Sequence, residues 1–319
     1  MALSLRVSIV ICTRNRAASL ARTLESLARL IIPTDLVCEL VVIDNGSTDA
    51  TQGVIAGFRD RLRIRSEHER VAGLAQARNR GVEVATGDYI IWTDDDVVVD
   101  PAWLDAYVTA FRQWPDAAVF GGKIIPRLEA PTPAWFAAAQ SELGSLLAHR
   151  DFGDDPLPLA IGEGILPFGA NYAVRAAEQR RFRYDTALGV APGRMQLGEE
   201  TAVIEAILTN GGAGYWTPCA KVFHCISCDR QSVSYIQRYF AAQGETHAYL
   251  GEMKGAVKFA GAPRWLWRQL VVSYLHYRIA RVWSEPAIWC RALRRHAFFW
   301  GAFRFLVFDA GGRGGGSDR

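Results

Sequence analysis

The amino-acid sequence predicts an α/β fold in which a mostly parallel central sheet is wrapped by helices. Short apolar runs alternate with segments of helical periodicity across residues 6–113, which is the pattern of strand–helix–strand units. Clusters of polar residues follow three of the apolar runs, at 13–16, 44–49 and 94–96. Hydrophobic residues make up 50% of the 319 residues and charged residues 22%, so the chain can bury a large core and is not of the disordered class.

The individual elements follow from the periodicity of each segment. Four apolar runs predict strands, at residues 6–12, 38–44, 61–66 and 88–96. Segments of helical periodicity predict helices at 18–30, 73–87 and 101–113, and a further helix is expected after the turn NGSTDAT, with Thr48 or Asp49 as its cap. Beyond residue 118 the pattern loosens, and it predicts a mixed helix at 134–149, strands at 166–175 and 214–224, and helices at 198–212, 231–250 and 264–308. In open α/β sheets, ligands bind beyond the carboxyl ends of the strands, so the three polar clusters are expected to line one site.

Several classes of protein are excluded by what the sequence lacks. No G-x-G-x-x-G follows the first strand and no G-x-x-x-x-G-K-[ST] occurs, which excludes the dinucleotide-binding and P-loop signatures. Six scattered cysteines do not make a disulfide framework and favour a reducing, cytoplasmic setting. The first apolar run contains Arg6 and is predicted to be a strand rather than a signal peptide. A net charge of +3 from 36 basic and 33 acidic residues identifies no partner by itself.

The acidic residues at two strand ends point to a cation and a nucleotide. Asp94, Asp95 and Asp96 are adjacent, and three carboxylates that repel one another require a compensating cation. Carboxylate oxygens on a tight turn suit Mg²⁺ or Mn²⁺. The alternative is a solvated acidic turn before the helix that follows Pro101. Asp44 could accept hydrogen bonds from a base or ribose, or it could hold the following turn as an Asx residue.

An ordered set of motifs gives the sequence a resemblance to a known family. The motifs are VSIVICTRNR, VVIDNGSTD, GLAQARNRGVEVATGDYIIWTDDD, PFGANYAVR and GEET, in that order. Together they resemble the family 2 glycosyltransferases of the GT-A fold, over roughly residues 6–245. The resemblance implies a Rossmann-like GT-A sandwich with a C-terminal helical extension. It also implies an inverting transfer of one sugar from a nucleotide diphosphate sugar, with UDP the expected nucleotide and Mg²⁺ or Mn²⁺ the cofactor.

The resemblance also implies roles for individual residues at the donor site. The nucleotide-sugar contacts are expected from Thr13, Arg14, Asp44, Arg78, Asp94, Asp95, Asn171 and Arg230. Among these, Arg78 would pair with the acidic strand end or the diphosphate, and Asn171 would hydrogen-bond a sugar hydroxyl. Asp96 is expected to ligate the metal, and His224 to complete the metal shell or contact the diphosphate. The plainer alternatives are a surface arginine, a strand-edge asparagine and a structural histidine.

The catalytic base is expected in the pair Glu199-Glu200. Inverting transfer needs one carboxylate to accept the proton of the attacking hydroxyl. By resemblance the second acid has this role, which assigns it to Glu200 and leaves Glu199 as the other candidate. Where the family usually has Glu-Asp, this chain has Glu-Glu. The alternative is that both acids only favour a helix N-terminus.

The C-terminal segment predicts a basic and aromatic surface. Residues 261–309 contain eight arginines against Glu285 and Asp309, and they hold five of the ten tryptophans. This composition suits helices that lie on an anionic membrane, and the alternative is a helical cap with arginines at its rim. The acceptor is expected to be a saccharide or a lipid-linked sugar. No nucleic-acid-binding module is recognisable, so no nucleic-acid partner is expected.

These expectations define a domain plan, a location and two alternative functions. We predict a catalytic domain at 1–250, with a nucleotide-binding half at 1–120 and an acceptor-binding half at 121–250. A helical extension at 251–309 and a flexible tail at 310–319 would follow.

A cytoplasmic location is expected, with peripheral association at the inner face of the cell membrane. The rivals are an inactive sugar- or membrane-binding protein on the same fold and a nucleotidyltransferase, although CTRNR lacks the glycine that the latter usually needs.

Overall fold

The structure, a computed structural model, describes residues 4–255 and 257–309, so the predicted tail 310–319 lies outside it. The described residues form two compact units. The first contains the residues up to Arg127 together with Ala148–Pro192 and Glu199–Cys225. The second contains Leu128–Leu147, Gly193–Gly198 and the described residues from Ile226 onward.

The sheet and its helices occupy the N-terminal two thirds of the chain, in alternation. The elements are β1 (Leu5–Thr13), α1 (Ala17–Leu27), β2 (Leu36–Asp44), α2 (Thr51–Gly57), β3 (Ile64–His68), α3 (Leu74–Val84), β4 (Tyr89–Asp94), β5 (Val97–Val99), α4 (Trp103–Gln113), β6 (Ala117–Leu128), α5 (Ala134–Ala138), β7 (Asn171–Arg175), α6 (Ala176–Arg181), α7 (Glu199–Thr209) and β8 (Ala213–Ile226). The remaining elements are α8 (Val233–Tyr249), the short hairpin strands β9 (Lys258–Phe259) and β10 (Ala262–Pro263), α9 (Arg264–Trp283) and α10 (Pro286–Arg304). The predicted alternation of strands and helices is confirmed.

The eight strands of the main sheet run in the order β3-β2-β1-β4-β7-β6-β8-β5. β3, β2, β1 and β4 are parallel, whereas β7 is antiparallel to both β4 and β6, and β5 is antiparallel to β8. The register sets Thr13 beside Asp44 and Cys12 beside Asp94. The polar clusters after β1, β2 and β4 therefore lie along one edge of the sheet, as the sequence predicts.

The strands are buried on both faces because alternate side chains enter different cores. On β1, Ile9 and Ile11 pack into one hydrophobic cluster and Val10 packs into another. Leu20 and Leu24 of α1 complete the first cluster at helical spacing. Each such side chain contributes about 1.5–3 kcal/mol when it is fully removed from water, so the strand ends are held by a rigid scaffold.

Helices α8 and α10 of the second unit touch backbone to backbone. A Cβ atom built on Gly244 would lie 1.9 Å from the Phe298 carbonyl oxygen, and one built on Gly301 would lie 1.8 Å from the Ala241 oxygen. Only glycine allows this approach at either position. Helix α8 therefore lies in the same compact unit as the helices of the predicted extension. The domain plan places a boundary at residue 250, and the compact units do not divide there.

Helices α9 and α10 have 20 and 19 residues. Within the part of the chain that the structure describes, no helix combines the length and the apolar character needed to cross a membrane.

Candidate active site

The acidic strand end is held by two side chains from the loop after β1. Thr13 Oγ1 donates a hydrogen bond of 2.7 Å to Asp95 Oδ2. Arg16 Nη1 bridges the two acids, at 2.7 Å from Asp95 Oδ1 and 2.8 Å from Asp96 Oδ2. Arg16 therefore supplies the positive charge that adjacent carboxylates require. Sequence reasoning did not single out Arg16, although it belongs to the polar cluster 13–16 that was expected at the site.

Asp95 and Thr13 are enclosed by these contacts. Both are buried, and both oxygens of the Asp95 carboxylate accept hydrogen bonds from the protein. Burial raises the pKa of Asp95 to about 6, against the opposing effect of Arg16. The expected contacts of Thr13 and Asp95 with a donor stay predictions, and the structure shows Thr13 and Arg16 holding the Asp95 carboxylate in place.

Asp96 and His224 meet although they are far apart in sequence. β5 pairs with β8 so that Val97 lies opposite His224, and the Cys225 amide donates to the Asp96 carbonyl at 2.8 Å. This pairing places His224 Nε2 3.4 Å from Asp96 Oδ1. Both side chains are buried. The antiparallel pairing thus unites the two residues that the resemblance implied as metal ligands.

The chemistry of this pair fits a divalent cation that also binds substrate. Two donors about 2.1 Å from one octahedral ion and about 90° apart stand about 3 Å from each other, close to the observed separation. Within residues 4–255 and 257–309, no three His, Cys, Asp or Glu side chains are placed to hold a metal by themselves. A cation at Asp96 and His224 would therefore need further ligands, such as water and phosphate oxygens.

Arg78 forms a second centre at the same edge of the sheet. It projects from α3, is only 3% exposed, and lies near three carboxylates. Its guanidinium nitrogens are 3.0 Å from Glu199 Oε1, 3.6 Å from Glu200 Oε2 and 3.6 Å from Asp94 Oδ1. The ion pair with the acidic strand end that the sequence suggested is therefore present.

Two aromatic rings and a glycine make room for Arg78. Its guanidinium carbon lies 6.0 Å from the ring centre of Tyr172 and 5.6 Å from that of Tyr184, and the two tyrosine hydroxyls hydrogen-bond each other at 2.5 Å. A Cβ atom on Gly169 would lie 2.6 Å from Arg78 Nη2, so this position admits only glycine without a shift. Sequence reasoning missed both tyrosines, because nothing in their local pattern distinguishes them from core residues.

Glu199 and Glu200 differ in burial although they are neighbours at the start of α7. The Glu199 side chain is 5% exposed and that of Glu200 is 14% exposed. Glu200 Oε1 accepts a hydrogen bond of 3.2 Å from the Gly169 amide, which orients its carboxylate. Burial, and next the charge of Glu200, raise the pKa of Glu199 to about 7, while Arg78 opposes the shift. The more accessible and better oriented carboxylate is that of Glu200.

The raised pKa of Glu199 predicts a pH dependence of stability. A carboxyl whose pKa rises from 4.5 to about 7 on folding contributes stability that is complete below about pH 4.5. That contribution is lost as the pH rises through about 7. We expect the free energy of unfolding to fall from about pH 5 to about pH 8 more steeply in the wild type than in Glu199→Gln, in urea titrations with chelator present. The control is Asp60→Asn, which removes an exposed carboxylate. Equal slopes in the wild type and Glu199→Gln would contradict the assignment.

The predicted base-binding residues lie at the ends of β1 and β2. Asp44 is buried, and it accepts hydrogen bonds from the Ser47 amide at 2.8 Å and from Gln52 Nε2 at 3.1 Å. Asp44 therefore holds the turn that follows it, which is one of the two roles that the sequence left open. Arg14 Nη1 donates to the Asn45 carbonyl at 2.7 Å. Contact of Asp44 and Arg14 with a base stays a prediction.

Asn171 does not have the accessibility that its predicted role requires. The residue is fully buried, its Oδ1 accepts from Trp103 Nε1 and the Tyr107 hydroxyl, and its Nδ2 donates to the carbonyls of Lys123 and Ala220. A side-chain amide has two donors and two acceptor lone pairs, and all are engaged. The expected hydrogen bond from Asn171 to a sugar hydroxyl is therefore corrected to a structural role, in which Asn171 ties β7 to its neighbours.

Arg230 lies in a short 3₁₀ turn, Cys228–Arg230, of the second unit. Its guanidinium carbon is 6.0 Å from the ring centre of Tyr235. Its expected contact with a phosphate stays a prediction.

Comparisons with known proteins add a family and a fold to this geometry. Residues 8–135 match the family model described as Glycosyl transferase family 2. The glucosyl-dolichyl phosphate glucuronosyltransferase of Haloferax volcanii is 31% identical over 137 residues, which are 41% of this chain and 42% of that protein. The succinoglycan biosynthesis protein ExoM of Rhizobium meliloti is 26% identical over 254 residues, 77% of this chain and 75% of that protein.

A solved structure shows the same fold over nearly the whole length of this chain. It is that of the mannosyltransferase PcManGT from Pyrobaculum calidifontis in complex with GDP-Man and Mn²⁺. The TM-score is 0.63 at 16% identity, with 95% of this chain and 87% of that chain covered. The GT-A fold that the sequence predicts is thereby confirmed.

Proposed function

We propose that this chain transfers one sugar from a nucleotide diphosphate sugar to an acceptor hydroxyl, with inversion. The premise is the match of residues 8–135 to the model of glycosyl transferase family 2. One observation carries the proposal. The Arg78 guanidinium lies 3.6 Å from the carboxylates of both Asp94 and Glu200, at the edge of the sheet that also carries Asp96. This arrangement offers a cation site, a buried arginine and an accessible carboxylate together, as a displacement at a sugar carbon needs.

The donor is proposed to be a UDP-sugar. Arg14 and Asp44 would contact the base, and Asp94, whose side chain is 35% exposed, would contact the ribose or the sugar. Arg78 would hold Asp94 in place and add positive charge near the diphosphate. Support comes from the position of Asp44 and Asp94 at the ends of strands on either side of β1.

A divalent cation, Mg²⁺ or Mn²⁺, would be held by Asp96 and His224 and would stabilise the negative charge of the leaving diphosphate. The structure similar to this chain that was solved with Mn²⁺ supports a metal requirement. Arg16 would keep the Asp95 and Asp96 carboxylates oriented toward that position.

Glu200 is proposed as the base. Its carboxylate is oriented by the Gly169 amide and retains exposed surface through which it could accept the proton of an acceptor hydroxyl. Glu199 is enclosed against Arg78 and would act on the reaction by positioning that arginine.

Nucleotide binding tests the donor site directly. We expect one of UDP, GDP and dTDP, and UDP by this proposal, to bind in calorimetry with Mn²⁺ and to lose at least about tenfold in affinity with chelator or in Asp96→Ala. Asp60→Ala serves as the matched control and should leave the affinity unchanged. If folded protein binds none of the three nucleotides, the proposal fails and an inactive binding protein on this fold becomes the better interpretation.

The acceptor is proposed to be lipid-linked, and the protein is proposed to act at the inner face of the cell membrane. No acidic residue occurs between Glu252 and Glu285, while this stretch carries six Lys and Arg residues. On α9, Ile279 is 61% exposed and Trp283 is 83% exposed. Exposed apolar side chains on an acid-free basic segment are the features of a surface that docks on anionic lipid.

Vesicle sedimentation tests this membrane surface. Ile279→Asp should weaken binding to vesicles that contain phosphatidylglycerol by about tenfold or more, because it removes an apolar contact and adds a repelled charge. Ile31→Asp is the matched control, because Ile31 is equally exposed at 61% but lies in the first unit. Equal pelleting of the two variants would contradict the proposed surface.

A further inference from the structure

The second unit contains a cavity of about 1180 Å³ that the sugar-transfer chemistry does not use. It lies among α8, α9, α10 and residues 193–195. Its apolar wall is formed largely by Leu270, Val271, Leu275, Ala297, Trp300 and Phe308. Pockets that enclose drug-sized ligands measure about 300–1,000 Å³, so this cavity is large enough for a long-chain ligand.

The cavity opens onto the exposed apolar face of α9. Val271, Leu275 and Phe308 all line it and are 57%, 53% and 67% exposed. Each square ångström of apolar surface left in water costs about 25 cal/mol, so a hydrocarbon that enters the cavity gains by covering these side chains. The cavity and the face proposed to meet the membrane are therefore continuous.

The charged residues that line the cavity are three arginines, Arg194, Arg238 and Arg304, and two acids, Glu245 and Asp309. Arg238 of α8 lines the cavity, and its guanidinium carbon is 5.8 Å from the ring centre of Tyr235. In the described part of the chain, no carboxylate lies within ion-pair distance of Arg238. Arg304, which also lines the cavity, is paired with Glu245. An anionic ligand can therefore meet Arg238 without first breaking an ion pair.

We propose that this cavity binds a lipid phosphate, with the hydrocarbon chain against Val271 and Leu275 and the phosphate at Arg238. The binding itself is independent of the sugar-transfer chemistry. The proposal also extends the proposed function, because it identifies a lipid phosphate as the carrier of the acceptor. Only this identification rests on the proposed function.

The test is calorimetric titration of the full chain with dodecyl phosphate below its critical micelle concentration. Inorganic phosphate tests the head group alone, and dodecyl maltoside tests the chain with a neutral head. Two matched pairs of variants locate the site. Arg238→Gln is compared with Arg268→Gln, an exposed arginine of α9 that does not line the cavity. Val271→Asn is compared with Val272→Asn, whose valine is 50% exposed and does not line the cavity.

We expect dodecyl phosphate to bind once per chain and about tenfold more tightly than either partial ligand. Arg238→Gln and Val271→Asn should each weaken it about tenfold, and the two partner variants should not. The proposal is overturned if dodecyl phosphate does not bind, if inorganic phosphate binds as tightly, or if Val272→Asn and Val271→Asn have equal effects. Nucleotide titration of the same samples separates the two proposals, because intact metal-dependent nucleotide binding without lipid binding rejects the lipid site alone.

Discussion

Arg78→Met is expected to lower the free energy of unfolding by about 3–5 kcal/mol, since it leaves buried carboxylates without their cation. Arg78 is the nearest positive group to Glu199, at 3.0 Å, and it also faces Glu200 and Asp94 at 3.6 Å. Methionine has similar length but no charge, so the loss reports mainly on the ion pairs. The loss should be smaller at about pH 5 than at about pH 8, because Glu199, with a pKa of about 7, can then bind a proton.

Urea unfolding followed by circular dichroism measures this effect, with Arg80→Met as the control. Arg80 lies on the same helix, but its side chain is 37% exposed and its partners Glu67 and Glu83 are at the surface, so its loss should cost about 0–1 kcal/mol. In the double variant Arg78→Met/Glu199→Gln, part of the stability should return, because the second change removes an uncompensated charge. If Arg78→Met is no more destabilising than Arg80→Met, the buried arginine does not hold the site together.

Glu200→Gln is expected to lower turnover by about 10²–10⁴-fold while nucleotide affinity stays within about twofold. The amide keeps the shape of the side chain and can still accept the hydrogen bond from Gly169, but it cannot take up the acceptor's proton. Turnover is measured as release of nucleoside diphosphate from sugar derivatives of the nucleotide that calorimetry identifies, with water or the acceptor as the attacking group.

Glu199→Gln decides between the two acids. We expect it to reduce turnover less than Glu200→Gln does, because the Glu199 carboxylate is enclosed against Arg78. The reverse order would move the base to Glu199. Loss of nucleotide binding in Glu200→Gln would instead show that Glu200 holds the donor.

Local sequence determined the framework of this protein. Apolar runs of strand length and helices of regular periodicity predicted the alternation from β1 to α4, and the acids that follow β2 and β4 predicted where the site would lie. These features could be predicted because the alternation of side chains along a strand and the termination of a strand at polar residues are properties of neighbouring residues.

The tertiary structure decided which polar groups meet. The register of β5 against β8 brings His224 to Asp96, and no local pattern records that pairing. Asn171 has the residue type of a sugar ligand, but its neighbours in space occupy all of its hydrogen-bonding capacity. Glu199 and Glu200 are neighbours in sequence, but the carboxylate of Glu199 is more buried and lies closer to Arg78, on another helix. Sequence specifies the chemistry that a side chain can perform, whereas burial and distance, which depend on contacts between remote segments, decide which of those capacities remains available.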